Sequence, residues 1–527
     1  MQSSDGSIGS PFPDIQLRDI SVPEMLMLSM NEHDPNKIAF IDAQTERSYT
    51  FGEFKNLYKR ISSALSGRGM HQGEVICFFS PNSLEFALMF AACITAGLVV
   101  SPSNFNSTRF ELTYQLNDCC ASYIFTTKAF LPVVKASLNS NIKEIFIADK
   151  ESVNGFTSIF ELALNDGKSF MGNNLKINTL QDAVIIPYSS GTTGLPKGVE
   201  ITHRNCTAML DIFQQPQFFG SSKRSKNDTT VVFLPFYHAY GLQKLLLNNL
   251  LQGVSQVIMA NFVPELFYRC IQKYKPFTIA LVPPIVNLLI KDTKAREINF
   301  TCLQYISCGA SPLSKQIEEK FRSVTKIYCL RQGYGMTEAT LAVTLGEKDS
   351  YKVGSTGRLV NNVRLKVIDQ ETGKYCGIGM KGELWFKGPI VMKGYLNRPK
   401  ETRNCITEDG WLKTGDIGYF DKDGYVFIVA PAELESVLLT HPKIKDAGVV
   451  GIDDERAGQI PKAYVVKKVD NLTKKEINDY IADKLSDFKR LRGGIDFIEE
   501  IPRLPSGKVL RRTLRDLETK KTLNSQL

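Results

Sequence analysis

Short apolar runs alternate with amphipathic stretches between residues 38 and 127. Val75-Ile76-Cys77-Phe78-Phe79 reads as a buried strand, residues 84–96 as a helix, Leu98-Val99-Val100 as the next strand and Ser122-Tyr123-Ile124-Phe125 as another. Strand and helix in alternation point to layered α/β sheets. The same rhythm returns at Val231-Val232-Phe233-Leu234, at residues 277–282 and at Tyr305-Ile306-Ser307. Residues 86–100 are the most apolar stretch. They are too few to span a bilayer comfortably, and read as a buried helix running into a strand.

Beyond residue 351 segments shorten and glycine becomes frequent (Gly354, Gly357, Gly373, Gly377, Gly379, Gly382), which predicts a β-rich portion with a strand at 382–387. Asp421-Lys422-Asp423-Gly424 is a turn signal, and a smaller α+β unit follows it. Its clearest helix is expected at 474–490, opened by a capping box of Thr473 and Glu476, with Ile477, Ile481, Leu485 and Phe488 on one face. The expected fold class is therefore α/β. It comprises a large multi-layer N-terminal domain with a β-rich end over residues 1–429, and a small α+β C-terminal lid over 430–527.

Composition narrows the class. At 527 residues the chain is too long for one core, and 43% apolar with 23% charged residues is the mixture of a globular protein rather than a disordered or fibrous one. The net charge of +9 suits an anionic ligand such as a nucleotide, but an ordinary basic surface accounts for it more readily. The basic residues form no long run (Lys223-Arg224-Ser225-Lys226 is short), and neither zinc-finger spacing nor an aromatic-studded RNA motif is present, so nucleic acid is not expected as a partner. Eleven scattered cysteines without a C-x-x-C pair fit reduced thiols in an intracellular protein. Residues 1–13 lack the basic and apolar regions of a signal peptide. Ser525-Gln526-Leu527 approximates the peroxisomal S-K-L address with Gln at the basic position, so the peroxisome stands beside the cytoplasm as the expected location. Oligomeric state is not legible.

The chemistry concentrates at Tyr188-Ser189-Ser190-Gly191-Thr192-Thr193-Gly194-Leu195-Pro196-Lys197-Gly198-Val199. Glycines let backbone N–H groups approach phosphate oxygens, four hydroxyls add uncharged donors, and Lys197 adds a point charge. The segment follows an apolar strand at 183–187, and it does not fit the G-x-x-x-x-G-K-[ST] loop of kinases and GTPases. It resembles the signature of the adenylate-forming (ATP-dependent, AMP-binding) superfamily: acyl-CoA synthetases, 4-coumarate–CoA ligases, beetle luciferases and peptide-synthetase adenylation domains. Ser101-Pro102-Ser103-Asn104 and Leu112-Thr113-Tyr114-Gln115-Leu116 look most like the coumarate–CoA ligase and luciferase branch.

The resemblance covers nearly the whole chain and implies roles residue by residue. In Leu234-Pro235-Phe236-Tyr237-His238-Ala239-Tyr240-Gly241, His238 would line the acyl site. Gly309-Ala310-Ser311-Pro312-Leu313 resembles the adenine-contacting loop. In Gly333-Tyr334-Gly335-Met336-Thr337-Glu338 the aromatic residue would stack on adenine, Thr337 would bind phosphate and Glu338 would hold Mg²⁺. Asp416, in Lys413-Thr414-Gly415-Asp416, would accept hydrogen bonds from the ribose. Lys508, in Leu504-Pro505-Ser506-Gly507-Lys508, takes the position of the catalytic lysine, and Gly394-Tyr395-Leu396-Asn397-Arg398-Pro399 looks structural. A carboxylate attacking the α-phosphate faces repulsion between anions. A hard cation with Lys197 and Lys508 would offset it. The implied reaction is acid–CoA ligation with ATP, Mg²⁺ and CoA, the acid being fatty or aromatic. The alternatives are a luciferase-like oxygenase, a peptide-synthetase module (no carrier domain follows Lys508) and a catalytically weak binder of nucleotide and acid.

One departure stands out. The resemblance implies an Asp-Arg-x-Lys segment and a glycine-bearing turn between G-Y-x-x-I-V and V-A-P-A-E-L-E. Here Gly424-Tyr425-Val426-Phe427-Ile428-Val429 runs straight into Ala430-Pro431-Ala432-Glu433-Leu434-Glu435, as though a hinge hairpin were removed as a unit. That stretch would supply the hinge, a ribose contact and part of the CoA channel. Its loss is expected to impair thioester formation first.

Overall fold

A computed structural model of the chain describes residues 3, 5–153, 155–172, 174–189, 196–219, 228–310, 313, 315–327, 329–348, 350, 352–369, 372–430, 432–454, 458–484, 490–503 and 509–524. Within them are two nine-stranded sheets, a five-stranded antiparallel sheet and a three-stranded sheet. In the first nine-stranded sheet Ala183–Ile185, Val99–Pro102, Val75–Phe78, Tyr123–Thr126, Glu144–Ile147 and Thr157–Ser158 run parallel. Lys197–Thr202 then pairs antiparallel with Ala183–Ile185. The second has a parallel middle from Leu330–Tyr334 through Tyr305–Cys308, Thr278–Leu281, Thr229–Val232 and Ser255–Ile258 to Ile38–Asp42.

The expected strands at 75, 98, 122, 277 and 305 thus form, each within one or two residues of its predicted bounds. The one expected at 231–234 begins earlier, at Thr229. Its polar residues were misleading: Thr230 is buried and its hydroxyl donates to the Thr278 carbonyl at 2.8 Å, so a β-branched polar residue serves as core.

Helix Leu84–Thr95 shows why the sheets stack. Every one of its residues is buried, which an apolar helix achieves only when both sides are covered. The Ser83 hydroxyl caps it by accepting from the Phe86 N–H at 3.0 Å. The Phe86 ring lies 5.0 Å from Phe78 of one sheet and 5.3 Å from Phe236, just beyond a strand of the other. Asn82 ties the same regions by accepting from the Phe236 N–H and donating to the Leu234 carbonyl.

The five-stranded sheet has the order Ile8–Gly9, Arg364–Ile368, Gly382–Lys387, Leu412–Phe420, Val426–Ala430. Its strand Gly382–Lys387 has the predicted bounds and alternates buried with half-buried residues up to the exposed Lys387. The strand at its other edge was not anticipated. Ile8 pairs with Leu365, and the Ser10 hydroxyl donates to the Leu359 carbonyl, 349 positions away. The path continues with the Ile15 N–H on the Asn362 side chain, and Arg18 forks onto Asp211.

Strand Val426–Ala430 is followed after one residue by helix Ala432–Leu439. The three-stranded sheet Ile444–Asp454, Gly458–Lys467, Ile495–Phe497 comes next. Glu435 joins that helix to the sheet: it accepts from the Val449 N–H at 2.9 Å and pairs with Arg511. The helix expected at 474–490 runs Lys474–Lys484. Arg490 lies outside it, and Leu485 and Phe488 lie outside the described residues. Ile477 and Ile481 are buried as expected. Thr473 does accept from the Glu476 N–H, but the Glu476 carboxylate goes to Lys443, so the expected box is only half of one. All eleven cysteines are free thiols, seven of them buried. Among the described residues no helix is long and apolar enough to cross a membrane.

Candidate active site

Strands Tyr188–Ser189 and Lys197–Thr202 pair antiparallel, with Tyr188 opposite Gly198 and Ser189 opposite Lys197. They bracket the glycine-rich signature. Ser190, Gly191, Thr192, Thr193 and Gly194 lie outside the described residues, as do Ser311, Pro312, Lys508 and the tripeptide 525–527. The two flanks meet the second motif at once. The Ser189 hydroxyl donates to Glu338 Oε1 at 2.9 Å, and the Tyr395 hydroxyl donates to the same oxygen at 2.8 Å. The Lys197 ammonium sits 4.8 Å from the centre of the Tyr395 ring. Glu338 is 6% exposed and lies on the short 3₁₀ turn Thr337–Ala339, whose carbonyl at Glu338 accepts from the Met392 N–H. Burial, then the Glu338 carboxylate, push the Tyr395 phenol well up, so it stays a donor at neutral pH.

Tyr334 ends strand Leu330–Tyr334 and donates to Asp416 Oδ2 at 2.7 Å. Burial and that carboxylate hold its phenol protonated far above neutrality. An Asp after a Gly would ordinarily mark a turn. Here Asp416 lies inside strand Leu412–Phe420, whose pairing with both neighbouring strands shifts register nearby. Gly415, at φ +69°, gives the backbone a conformation that a side chain would resist, and its N–H donates to Glu383. Gly335 is required for space: a Cβ there would lie 1.7 Å from the Leu341 carbonyl oxygen. Thr340, at φ +63°, closes this turn and holds the Ile390 carbonyl through its hydroxyl.

A third group lies around Gly309. A Cβ added there would touch the Tyr240 ring at 3.3 Å, and the Tyr240 hydroxyl donates to Ser307. The next residue, Ala310, has φ +71°. His238 precedes the π-helical stretch Tyr240–Leu247, and its ring stands 4.5 Å from that of Tyr237. Thus Ser189, Lys197 and Glu338 come together, Tyr334 and Asp416 come together, and Gly309 meets Tyr240.

Sequence reasoning missed Tyr395 as a partner of Glu338 and Lys197. It also missed a cluster of Tyr114, Asp118 and Arg398 beside the signature, in which Arg398 pairs with Asp118 at 2.6 Å. The signals were the segment 394–399, read as structural, and the segment 112–116, used only to place the branch of the family.

The chain matches the family model of the AMP-binding enzyme over residues 29–396, and that of the AMP-binding enzyme C-terminal domain over 433–508. The chain belongs to the AMP-binding enzyme family. It is 34% identical to a probable 4-coumarate–CoA ligase 1 of Dictyostelium discoideum, over 97% of this chain and 98% of that one. It is also 34% identical to luciferin 4-monooxygenase of Photinus pyralis, over 96% of each. The fold superposes on o-succinylbenzoate CoA synthetase of Bacillus subtilis, solved with its acyl-adenylate, at a TM-score of 0.77 with 25% identity, covering 94% of this chain and 99% of that one. As an AMP-binding enzyme with CoA ligases among its relatives and structural neighbours, the chain is an acid–thiol ligase of the adenylate-forming type.

The family implies a hard divalent cation. Among the described residues no three His, Cys, Asp or Glu side chains cluster as a ready-made metal cage. One buried carboxylate beside a glycine- and hydroxyl-rich signature is nevertheless a donor set that suits Mg²⁺, because that ion keeps several waters and draws its other ligands from substrate phosphates. Both side-chain hydroxyl bonds to Glu338 go to Oε1. The residues fit the ion.

Proposed function

We propose that this AMP-binding enzyme converts a carboxylic acid and ATP to an acyl-adenylate and pyrophosphate, then transfers the acyl group to CoA with release of AMP. The observation that carries the site assignment is the junction in which Ser189 and Tyr395 donate to the buried Glu338 carboxylate while the Lys197 ammonium lies over the Tyr395 ring, so that both flanks of the glycine-rich signature gather beside one carboxylate. Residues 189–194 with Lys197 and Thr337 hold the phosphates, Asp416 holds the ribose, and Gly309, Ala310 and residues 333–335 border the adenine. His238 lines the acyl site and Lys508 bridges the attacking carboxylate and the α-phosphate. Glu338 would hold Mg²⁺, which supplies charge neutralisation at the pyrophosphate leaving group. Carboxylates of fatty or aromatic type fit the family, and a peroxisomal role is consistent with Ser525-Gln526-Leu527. ATP–pyrophosphate exchange over a panel of fatty and aromatic acids tests the reading; no acid supporting exchange while ATP still binds would turn it toward a nucleotide-binding protein. Oxygen uptake with light emission would favour the luciferase-type alternative.

A second reading concerns the balance of the two steps. One residue separates strand Val426–Ala430 from helix Ala432–Leu439. The alignment to the Dictyostelium ligase spans 544 positions against a chain of 527, so that relative carries residues this chain lacks. We take residues 1–429 and 430–527 as two domains joined without a hinge hairpin. A junction this short leaves few dihedrals to absorb a rotation of the second domain. Adenylation is then retained in preference to thioester formation. Inserting a hairpin between Val429 and Ala430 should raise CoA-thioester release relative to exchange, and full thioester turnover by the unaltered chain sinks the idea.

A further inference from the structure

We infer that Tyr114 and Arg398 are positioning residues that fix the two flanks of the glycine-rich signature, at Tyr188 and Pro196, and thereby strengthen ATP binding. The inference rests on the proposed phosphate-holding role of that signature.

The contacts form a closed circuit. At the signature's start the Tyr188 hydroxyl donates to Asp118 Oδ2 at 2.7 Å. At its end the Pro196 carbonyl accepts from the Tyr114 hydroxyl at 2.9 Å. Tyr114 and Asp118 stand four positions apart on helix Arg109–Asp118, hence on one face. Arg398 joins them. Its Nη2 donates to Asp118 Oδ1 at 2.6 Å and to the Tyr114 oxygen at 2.8 Å, and its Nη1 donates to Asp118 Oδ2 at 3.2 Å and to the Leu396 carbonyl at 3.0 Å. The Leu396 N–H in turn donates to the Gly198 carbonyl, two residues past Pro196. The Asp118 and Arg398 side chains are only 12% and 21% exposed, so the pair is partly withdrawn from solvent screening.

Two physical effects follow. Groups fixed before a ligand arrives need not be ordered by it, so holding Tyr188 and Pro196 in place removes part of the cost of binding. Arg398 also balances the Asp118 carboxylate, which would otherwise stand as a half-buried, unpaired anion beside the proposed binding segment for a polyanion. The planar guanidinium can hold both Asp118 oxygens and the Tyr114 hydroxyl together, a geometry that a lysine ammonium cannot copy.

The test reads ATP and acid dissociation constants by calorimetry on the full chain, with melting temperature alongside, for Tyr114→Phe, Arg398→Lys and Arg398→Met. Tyr114→Phe keeps the ring and severs the Pro196 link together with the bond from Arg398. It should weaken ATP about fivefold, the size of one net hydrogen bond, lower the melting temperature by only a few degrees and leave acid affinity unchanged. Arg398→Lys should fall between the wild type and Arg398→Met. Unchanged ATP affinity in Tyr114→Phe, or an equal loss of acid and ATP affinity, overturns the clamp. Lys197→Met separates the two readings. If it weakens ATP while Tyr114→Phe does not, the clamp alone fails. If it leaves ATP affinity unchanged, the phosphate-segment reading fails.

Discussion

The Tyr395 hydroxyl and the Ser189 hydroxyl meet on one oxygen of Glu338, at 2.8 and 2.9 Å. An amide oxygen could accept the same two bonds. Glu338→Gln should therefore keep the fold, with a melting temperature within a few degrees of the wild type, while removing the charge proposed to hold Mg²⁺. Pyrophosphate exchange should fall about 100-fold or more, the scale on which one preorganised electrostatic group acts. Exchange at the wild-type rate across a magnesium titration would remove Glu338 from the site.

Tyr334 and Asp416 make a half-buried polar pair. Tyr334→Phe removes a neutral donor from a carboxylate and should lower stability by about 2 kcal/mol, seen as a lower urea midpoint. Asp416→Asn should act on the nucleotide instead, weakening ATP about tenfold through loss of a charge-assisted acceptor. If ATP affinity is the same in Asp416→Asn, the ribose assignment is wrong.

Gly335 tests the backbone. A Cβ 1.7 Å from the Leu341 oxygen cannot be relieved by turning a side chain, because the obstacle is main chain. Gly335→Ala should cost about 3 kcal/mol or more, and the variant should be recovered mostly as insoluble protein. Gly373→Ala, where a Cβ would meet nothing within 4 Å but φ is +67°, should cost only about 1 kcal/mol by conformational strain.

His203 predicts a pH dependence. It is buried, its Nδ1 accepts from the Val22 N–H at 3.2 Å, and burial lowers its pKa from 6.5 to about 4. Between those values the unfolded chain binds a proton that the folded chain does not. This contribution to stability is whole above pH 6.5 and is lost as pH falls toward 4, by at most about 3 kcal/mol. His33, lowered by burial in the same direction, adds to the effect. The urea midpoint should drop between pH 7 and pH 4.5, and His203→Gln should flatten that drop. An unaltered slope in the variant would assign the acid lability elsewhere.

What was legible in the chain follows from how locally each feature is encoded. Strands such as Val75–Phe78 and Gly382–Lys387 declare themselves by runs or alternation of apolar residues. The Leu84–Thr95 helix does so by being apolar all round. Strand Ile8–Gly9 is two residues long and exists only because a partner arrives from residue 365, so no window around it carries a pattern. The site divides in the same way. Ser189, Lys197, Glu338 and Asp416 sit in dense motifs. Arg398 and Asp118 are 280 positions apart, and nothing near either one announces the other. The π-helical stretch Tyr240–Leu247 was equally hidden, since its apolar spacing serves an ordinary helix as well.

The strap at residues 8–18 has a consequence for synthesis on the ribosome. Its partners at Leu359, Asn362 and Leu365 emerge some 350 residues after it, which at about 5–20 residues per second is roughly twenty seconds to a minute. During that time Ile8 and its neighbours form an unpaired edge, and the five-stranded sheet is incomplete. The nascent chain would then gain from a chaperone that shields this edge, and translation that outruns such shielding should lower the yield of folded enzyme without changing the stability of molecules that do fold.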